Sequence, residues 1–175
     1  MTRISLDLAE VVGSSLAHAA AETARFMNPF DIKGWLFSPH AQHPFAVHFP
    51  IALFIASVVL DLFAVWHKRP VLTLAARSNL LGAALMAPIA LGTGLIAWQW
   101  KLKGVPITGN LRLHIIGASV STLLLWCLWF IRRRQRLRVH HWSQPPSALY
   151  FGIAFVSLGL IIVTAHIGVI LAGDY

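Results

Sequence analysis

Charge is scarce in this sequence, and acidic side chains are the scarcest. The 175 residues include six Asp and Glu, and charged residues make up 11% of the chain, whereas soluble domains carry about 25%. Hydrophobic residues supply 57%. So few carboxylates leave little for hydrolytic chemistry based on paired acids. The composition therefore predicts an integral membrane protein rather than a soluble enzyme.

Cysteine is also nearly absent. The single cysteine, Cys127, lies inside an apolar run, so it can form neither an internal disulfide nor a paired-cysteine metal site. We expect it to be a buried small hydrophobe. Glycine-rich phosphate loops and nucleophile elbows are missing as well. Asp7 and Glu10 interrupt the segment in which a signal peptide would need an uncharged stretch.

Long apolar runs, in contrast, are abundant. Four of them reach the length of about 20 residues that a membrane-crossing helix needs, at 44–66, 73–99, 112–131 and 147–172. The short connections between them favour antiparallel neighbours. The predicted fold class is all-α, an integral membrane four-helix up-down bundle formed by residues 40–175.

The segment before the bundle, residues 1–39, has a different pattern. Apolar residues recur there at helical spacing: Ile4, Leu8, Val11, Val12, Leu16 and Ala20. This pattern predicts an N-terminal amphipathic helix followed by a loop. Basic residues typical of a lipid-surface helix are few, so we expect residues 1–34 to contact other membrane-protein subunits.

Basic residues are concentrated on one side of the predicted bundle. The run "RRRQRLR" (132–138) follows the third apolar span, and Lys68 and Arg69 follow the first. The positive-inside rule places both loops in the cytoplasm, with both termini in the periplasm of a bacterial inner membrane. The net charge of +8 then reflects membrane topology, and we expect no nucleic-acid binding.

Histidines gather on the opposite side. With this orientation, the predicted helices bring His48, His114 and His166 to a similar depth, with His43 just above. Haem b between helices needs two neutral imidazoles on facing helices, and His48 with His114, or His48 with His166, could supply them. The third histidine or Arg112 could bond a haem propionate.

Other interpretations of the histidines remain open. His48, His114 and His166 could bind zinc or copper, although few carboxylates are near to orient such ligands. Interfacial histidines also form hydrogen bonds across helices or to lipid headgroups without further function. Proton or quinone handling is another possibility for ionisable groups inside a membrane.

Asp61 is the carboxylate that lies within the first predicted span. Arg77 lies about one turn into the second span, at the same membrane face. A structural Asp61–Arg77 ion pair would offset the cost of burying each charge alone. The functional alternative is a proton relay.

The first span also carries a family resemblance. "HPFAVHFPIALFIASVVLDLFAVW" (43–66) resembles the first helix of a bacterial membrane family, domain of unknown function 2231, which opens with a His-Pro…Val-His-Phe-Pro-Ile stretch and has a late aspartate, here Asp61. His114 after a basic residue, and His166 in a histidine-glycine pattern, match the third and fourth helices of the family. The resemblance covers about residues 40–173.

This resemblance implies a four-helix membrane fold and a role in electron transfer, since members often occur beside c-type cytochrome or Rieske proteins. The leading hypothesis is a membrane electron-transfer protein or subunit that binds haem b through the histidine cluster and exchanges electrons with a periplasmic c-type cytochrome. The alternative is a non-catalytic accessory subunit that scaffolds a larger respiratory or photosynthetic complex. We expect no independent catalytic activity.

Overall fold

The computed structural model describes residues 13–16, 39–101, 103–138 and 146–174. Four long helices occupy most of these ranges: α1 Pro39–His67, α2 Pro70–Lys101, α3 Gly109–Arg138 and α4 Ala148–Asp174. Each includes a segment long and apolar enough to cross a membrane: Gln42–His67, Val71–Trp100, Gly109–Gln135 and Ala148–Ala172. The prediction of an all-α fold with four membrane-spanning helices is confirmed.

The chain divides into two units, Met1–Gln42 and His43–Tyr175. In the first unit, residues 13–16 are helical and exposed, within the predicted amphipathic helix. The remainder of that predicted helix lies outside the described residues. Most of residues 1–34 lie outside them too, so the expected subunit contacts of this segment stay a prediction.

Tight turns follow α1 and α2. The α1 helix ends at His67 and is followed by Lys68, whose φ of 51° is left-handed. The N–H of Arg69 donates back to the carbonyl of Ala64 at 3.2 Å. This is the usual way to satisfy the free carbonyls at a helix C-terminus. The turn after α2 is held by Trp98, whose Nε1–H donates to the carbonyl of Val105 at 3.0 Å. Turns this short make consecutive helices antiparallel.

Small residues on α2 and large ones on its neighbours build the interior. The buried face of α2 is rich in alanine, and the buried apolar cluster also contains Phe54 of α1, Leu125 of α3 and Ala154 of α4. Small side chains let helix backbones approach closely, which is how helices associate when lipid removes the hydrophobic driving force. Many large apolar side chains remain exposed on the outer faces, where they contact the lipid bilayer.

Cys127 is one of the outward-facing residues. The prediction that it is buried was wrong, because its side chain is exposed. The buried positions of α3 near it are Leu125, Leu128 and Arg132, which define a different face of the helix. In a membrane, an apolar residue gains little from burial against protein rather than lipid, so its hydrophobicity did not indicate its direction.

Candidate functional site

The two ends of the bundle carry different side chains. We call the end formed by the starts of α1 and α3 the histidine end, and the opposite end, where these two helices finish, the arginine end. At the histidine end, His43 of α1 and His114 of α3 lie together, with their ring centres 6.3 Å apart and their planes at 89°. Both side chains are half-buried.

The ring of His43 is held by α2. Its Nδ1 lies 3.2 Å from the carbonyl oxygen of Ala90 and 3.2 Å from the hydroxyl oxygen of Thr93. The Thr93 hydroxyl itself donates to the Ala90 carbonyl at 2.8 Å, so both neighbours act as acceptors toward the ring. This network assigns a proton to Nδ1 of His43.

The ring of His114 is held in the same way by α4. Its Nδ1 lies 3.0 Å from the backbone carbonyl of Thr164, which can only accept, so Nδ1 again carries the proton. In the neutral form of each ring, the proton on Nδ1 leaves the lone pair on Nε2.

Two glycines allow these rings to lie against neighbouring helices. A Cβ atom added at Gly94 of α2 would lie 2.8 Å from Cε1 of His43, and one added at Gly168 of α4 would lie 2.9 Å from Cε1 of His114. Both distances are shorter than carbon atoms tolerate without movement. Each imidazole is thus packed on one glycine and hydrogen-bonded near it on the same helix.

The predicted His48, His114 and His166 triad is not formed. His48 is exposed and its Nδ1 donates at 2.5 Å to the carbonyl of Pro44 in its own helix, while His166 is also exposed. Among the described residues, no group of three or more His, Cys, Asp or Glu side chains is arranged to hold a metal ion. The reason is helical phase, since five residues separate His43 from His48 and rotate the second ring about 140° around α1.

Arg112, the predicted propionate partner, is exposed in the first turn of α3. Its backbone N–H donates to the carbonyl of Thr108 at 3.4 Å. Two residues separate it from His114, so the two side chains point to different sides of the helix. The role of Arg112 in cofactor binding stays a prediction.

A buried ion pair occupies the arginine end. Nη2 of Arg132 donates to Oδ1 of Asp61 at 2.6 Å, and their side chains are 4% and 0% exposed. The predicted direct partner, Arg77, is therefore replaced by Arg132, although Arg77 also attracts the carboxylate. Arg132 lies in the basic run that marked the end of the third span, but its side chain is buried inside the protein.

Residues 39–175 match the family model described as "Predicted membrane protein (DUF2231)". The chain belongs to this family. Curated proteins and solved structures gave no match, and the description of the family assigns no reaction.

Several polar residues of the family resemblance lie in separate places in the structure. His43 and His114 form the pair at the histidine end, Asp61 lies in the ion pair at the arginine end, and His166 is exposed. The motif of this DUF2231 member therefore does not converge on one site.

Two residues beside Asp61 were not predicted from the sequence. Tyr150 of α4 is fully buried, with the guanidinium of Arg132 5.1 Å from its ring centre, and Ser57 of α1 is buried next to it. A usable signal was the three- and four-residue spacing of Phe54, Ser57 and Asp61, which places them on one face. Tyr150 also precedes the buried Ala154 by one helical turn.

Proposed function

We propose that this chain is a membrane electron-transfer protein, or the electron-transfer subunit of a complex, and that it binds haem b through Nε2 of His43 and His114. The observation that carries the proposal is the pair of Nδ1–H hydrogen bonds to the backbone, from His43 to Ala90 and from His114 to Thr164. Histidines that bind metals donate their other ring N–H in this way, which fixes the tautomer and the direction of the ring.

The distance between the rings supports one metal centre shared by both. A metal-bound imidazole nitrogen lies about 2.0–2.1 Å from its ion, which puts the centres of two rings on the same ion about 6 Å apart. The rings of His43 and His114 are 6.3 Å apart. Their edge-to-face arrangement does not prevent this, because each ring can rotate about its own metal bond.

The number of ligands favours haem over a bare metal ion. Structural zinc takes four protein ligands, and catalytic zinc takes three, whereas iron in haem receives four nitrogens from the porphyrin and needs axial ligands only. Two histidines on two helices match that need, as in other bundle proteins that bind a cofactor between helices. When bound, the haem would supply one-electron chemistry, and the protein would hold the two imidazoles in place.

The charge distribution supports an orientation in the membrane, and this orientation gives the compartment of the proposed electron partner. Lys68 and Arg69 lie at the arginine end, together with the arginines of 132–138, and such residues prefer the cytoplasmic side. The histidine end then faces the periplasm of a bacterial inner membrane, with both termini on that side. A periplasmic c-type cytochrome is the proposed carrier.

A reduced-minus-oxidised spectrum tests the proposal directly. Protein purified from cells supplied with haem should show Soret and α bands, and His43→Ala and His114→Ala should each abolish or shift them. His48→Ala and His166→Ala are the matched controls, since both rings are exposed, and their spectra should be unchanged. Absence of the bands in the unmodified protein, or their loss only in the control variants, would overturn the haem proposal.

A second candidate function is an accessory subunit of a larger membrane complex. It is supported by the exposed glycines of α4, Gly152 and Gly159, whose added Cβ atoms would meet nothing within 4 Å. Glycines on an outward face allow another helix to approach closely. Gly159→Leu should then release the chain from its complex on native gels, whereas Leu149→Ala, on an exposed side chain, should not.

A further inference from the structure

Unpartnered polar atoms are concentrated at the arginine end. Among the described residues, five buried side-chain nitrogen or oxygen atoms lack a hydrogen-bond partner, and four belong to one cluster: Ser57 Oγ, Asp61 Oδ2, Arg132 Nε and Tyr150 Oη. We call these four residues the polar cluster. Its side chains are between 0% and 4% exposed, so the surrounding solvent does not reach them.

The atoms of the polar cluster face one another across three helices. Oδ1 of Asp61 is occupied by Arg132, which leaves Oδ2 on the other side of the carboxylate. The Tyr150 hydroxyl lies close enough to interact with the side chains of both Ser57 and Asp61, yet it makes no hydrogen bond of normal geometry. The guanidinium of Arg132 lies over the Tyr150 ring, which brings its unpartnered Nε to the same region.

Leaving such atoms without partners is costly. A buried polar group without a hydrogen bond carries an uncompensated desolvation cost, and lipid supplies no solvent water to replace the missing partner. Native proteins therefore rarely keep several such groups together unless an ordered molecule satisfies them.

The donors and acceptors of the polar cluster identify that molecule. Carboxylate Oδ2 can only accept, Arg132 Nε–H can only donate, and the hydroxyls of Ser57 and Tyr150 can do either. A cation would satisfy only the acceptors and an anion only the donors. Water both donates and accepts, and a buried water molecule makes about three hydrogen bonds.

We propose that the polar cluster binds ordered water inside the membrane, with a water molecule donating to Oδ2 of Asp61 and accepting from the Ser57 or Tyr150 hydroxyl or from Arg132 Nε–H. The bound water completes the coordination of the ion pair and links α1, α3 and α4 at the arginine end. This site is independent of the haem proposal, because it lies at the opposite end of the bundle.

X-ray hydroxyl-radical footprinting of the purified protein in lipid nanodiscs tests this site. Radicals generated from bound water oxidise the side chains beside it, so Tyr150 should be oxidised several-fold more than Phe54. Phe54 is the matched control because it is also 0% exposed, and its aromatic ring carries no polar atom. Equal oxidation of Tyr150 and Phe54 would overturn the proposal.

Two serine variants locate the water within the cluster. Ser57→Ala removes an unpartnered hydroxyl and should lower the oxidation of Tyr150 several-fold. Ser157→Ala is the control, because this serine is equally buried but donates to the carbonyl of Ile153 in its own helix at 2.7 Å. Unchanged Tyr150 oxidation in Ser57→Ala, or oxidation that falls with chloride concentration as an anion displaces water, would contradict the proposed site.

Discussion

Asp61 and Arg132 form an ion pair 2.6 Å long at positions that match those of the two histidines. Asp61 follows His43 by 18 residues (61 − 43), and Arg132 follows His114 by 18 residues (132 − 114). Since α1 and α3 run in the same direction, one register between them aligns both pairs, about 27 Å apart along the helices. The ion pair and the histidine pair therefore both depend on the same register between α1 and α3.

Removing one partner of the ion pair should destabilise the bundle strongly. Arg132→Leu leaves the carboxylate of Asp61 buried without its direct partner, and such a change costs about 3–5 kcal/mol. Thermal or denaturant unfolding in detergent, followed by circular dichroism, measures the free energy of unfolding. Arg133→Leu is the control, since Arg133 is exposed over the ring of Trp129, and it should change stability by less than about 1 kcal/mol.

The double variant distinguishes a buried charge from a lost contact. Asp61→Leu combined with Arg132→Leu removes both charges, and replacing a buried pair by apolar residues is often neutral or stabilising. We therefore expect the double variant to regain most of the stability lost in Arg132→Leu. A double variant as unstable as the sum of the single variants would show that the pair is not coupled.

An added methyl group at Gly94 should disturb His43 specifically. Gly94→Ala places its Cβ 2.8 Å from the imidazole, so the ring must move and its hydrogen bond to Ala90 is weakened, at a cost of about 1 kcal/mol. Gly92→Ala is the control on the same helix, because its Cβ would meet nothing within 4 Å. That control should be neutral or stabilising by about 0.5–1 kcal/mol. If unfolding measurements find Gly92→Ala less stable than Gly94→Ala, they would contradict the observed packing.

Gly117 should be intolerant of substitution where α3 meets α4. A Cβ at this position would overlap Oγ1 of Thr164, and overpacking of this kind costs about 1–3 kcal/mol. Gly159→Ala on α4 meets nothing and should have little effect. Thr164→Ala removes Oγ1, so combining it with Gly117→Ala should restore stability. If the double variant is as unstable as Gly117→Ala in unfolding assays, the clash does not involve the Thr164 side chain.

The turn between α1 and α2 offers a stabilising change. Lys68 adopts a left-handed conformation with φ of 51°, which costs a residue with a Cβ about 1–2 kcal/mol. Lys68→Gly relieves this strain at a position where glycine commonly ends helices, so the melting temperature should rise. Lys68→Ala removes the charge but keeps the strain, and it should not raise the melting temperature. Equal stabilisation by both variants would attribute the gain to charge instead.

Much of this architecture could be predicted from the sequence because it depends on local properties. The length and hydrophobicity of each run determined four membrane-spanning helices, and the basic residues marked one end of the bundle. Residue numbers along each span also determined which side chains share a depth, so the histidines at one end and Asp61 at the other were predicted. These properties require no knowledge of how the helices face one another.

Only the tertiary structure showed which face of each helix contacts its neighbours. A membrane helix is apolar on all sides, so no polar outer face reveals which residues point inward. Depth along the helix therefore favoured His48, whereas rotation of α1 turns His43 toward His114. Likewise, Arg77 and Arg132 were both available at the depth of Asp61, and the rotation of α3 turns Arg132 toward Asp61. Depth follows from the distance along one chain, but contact depends on the rotation and register of helices packed together.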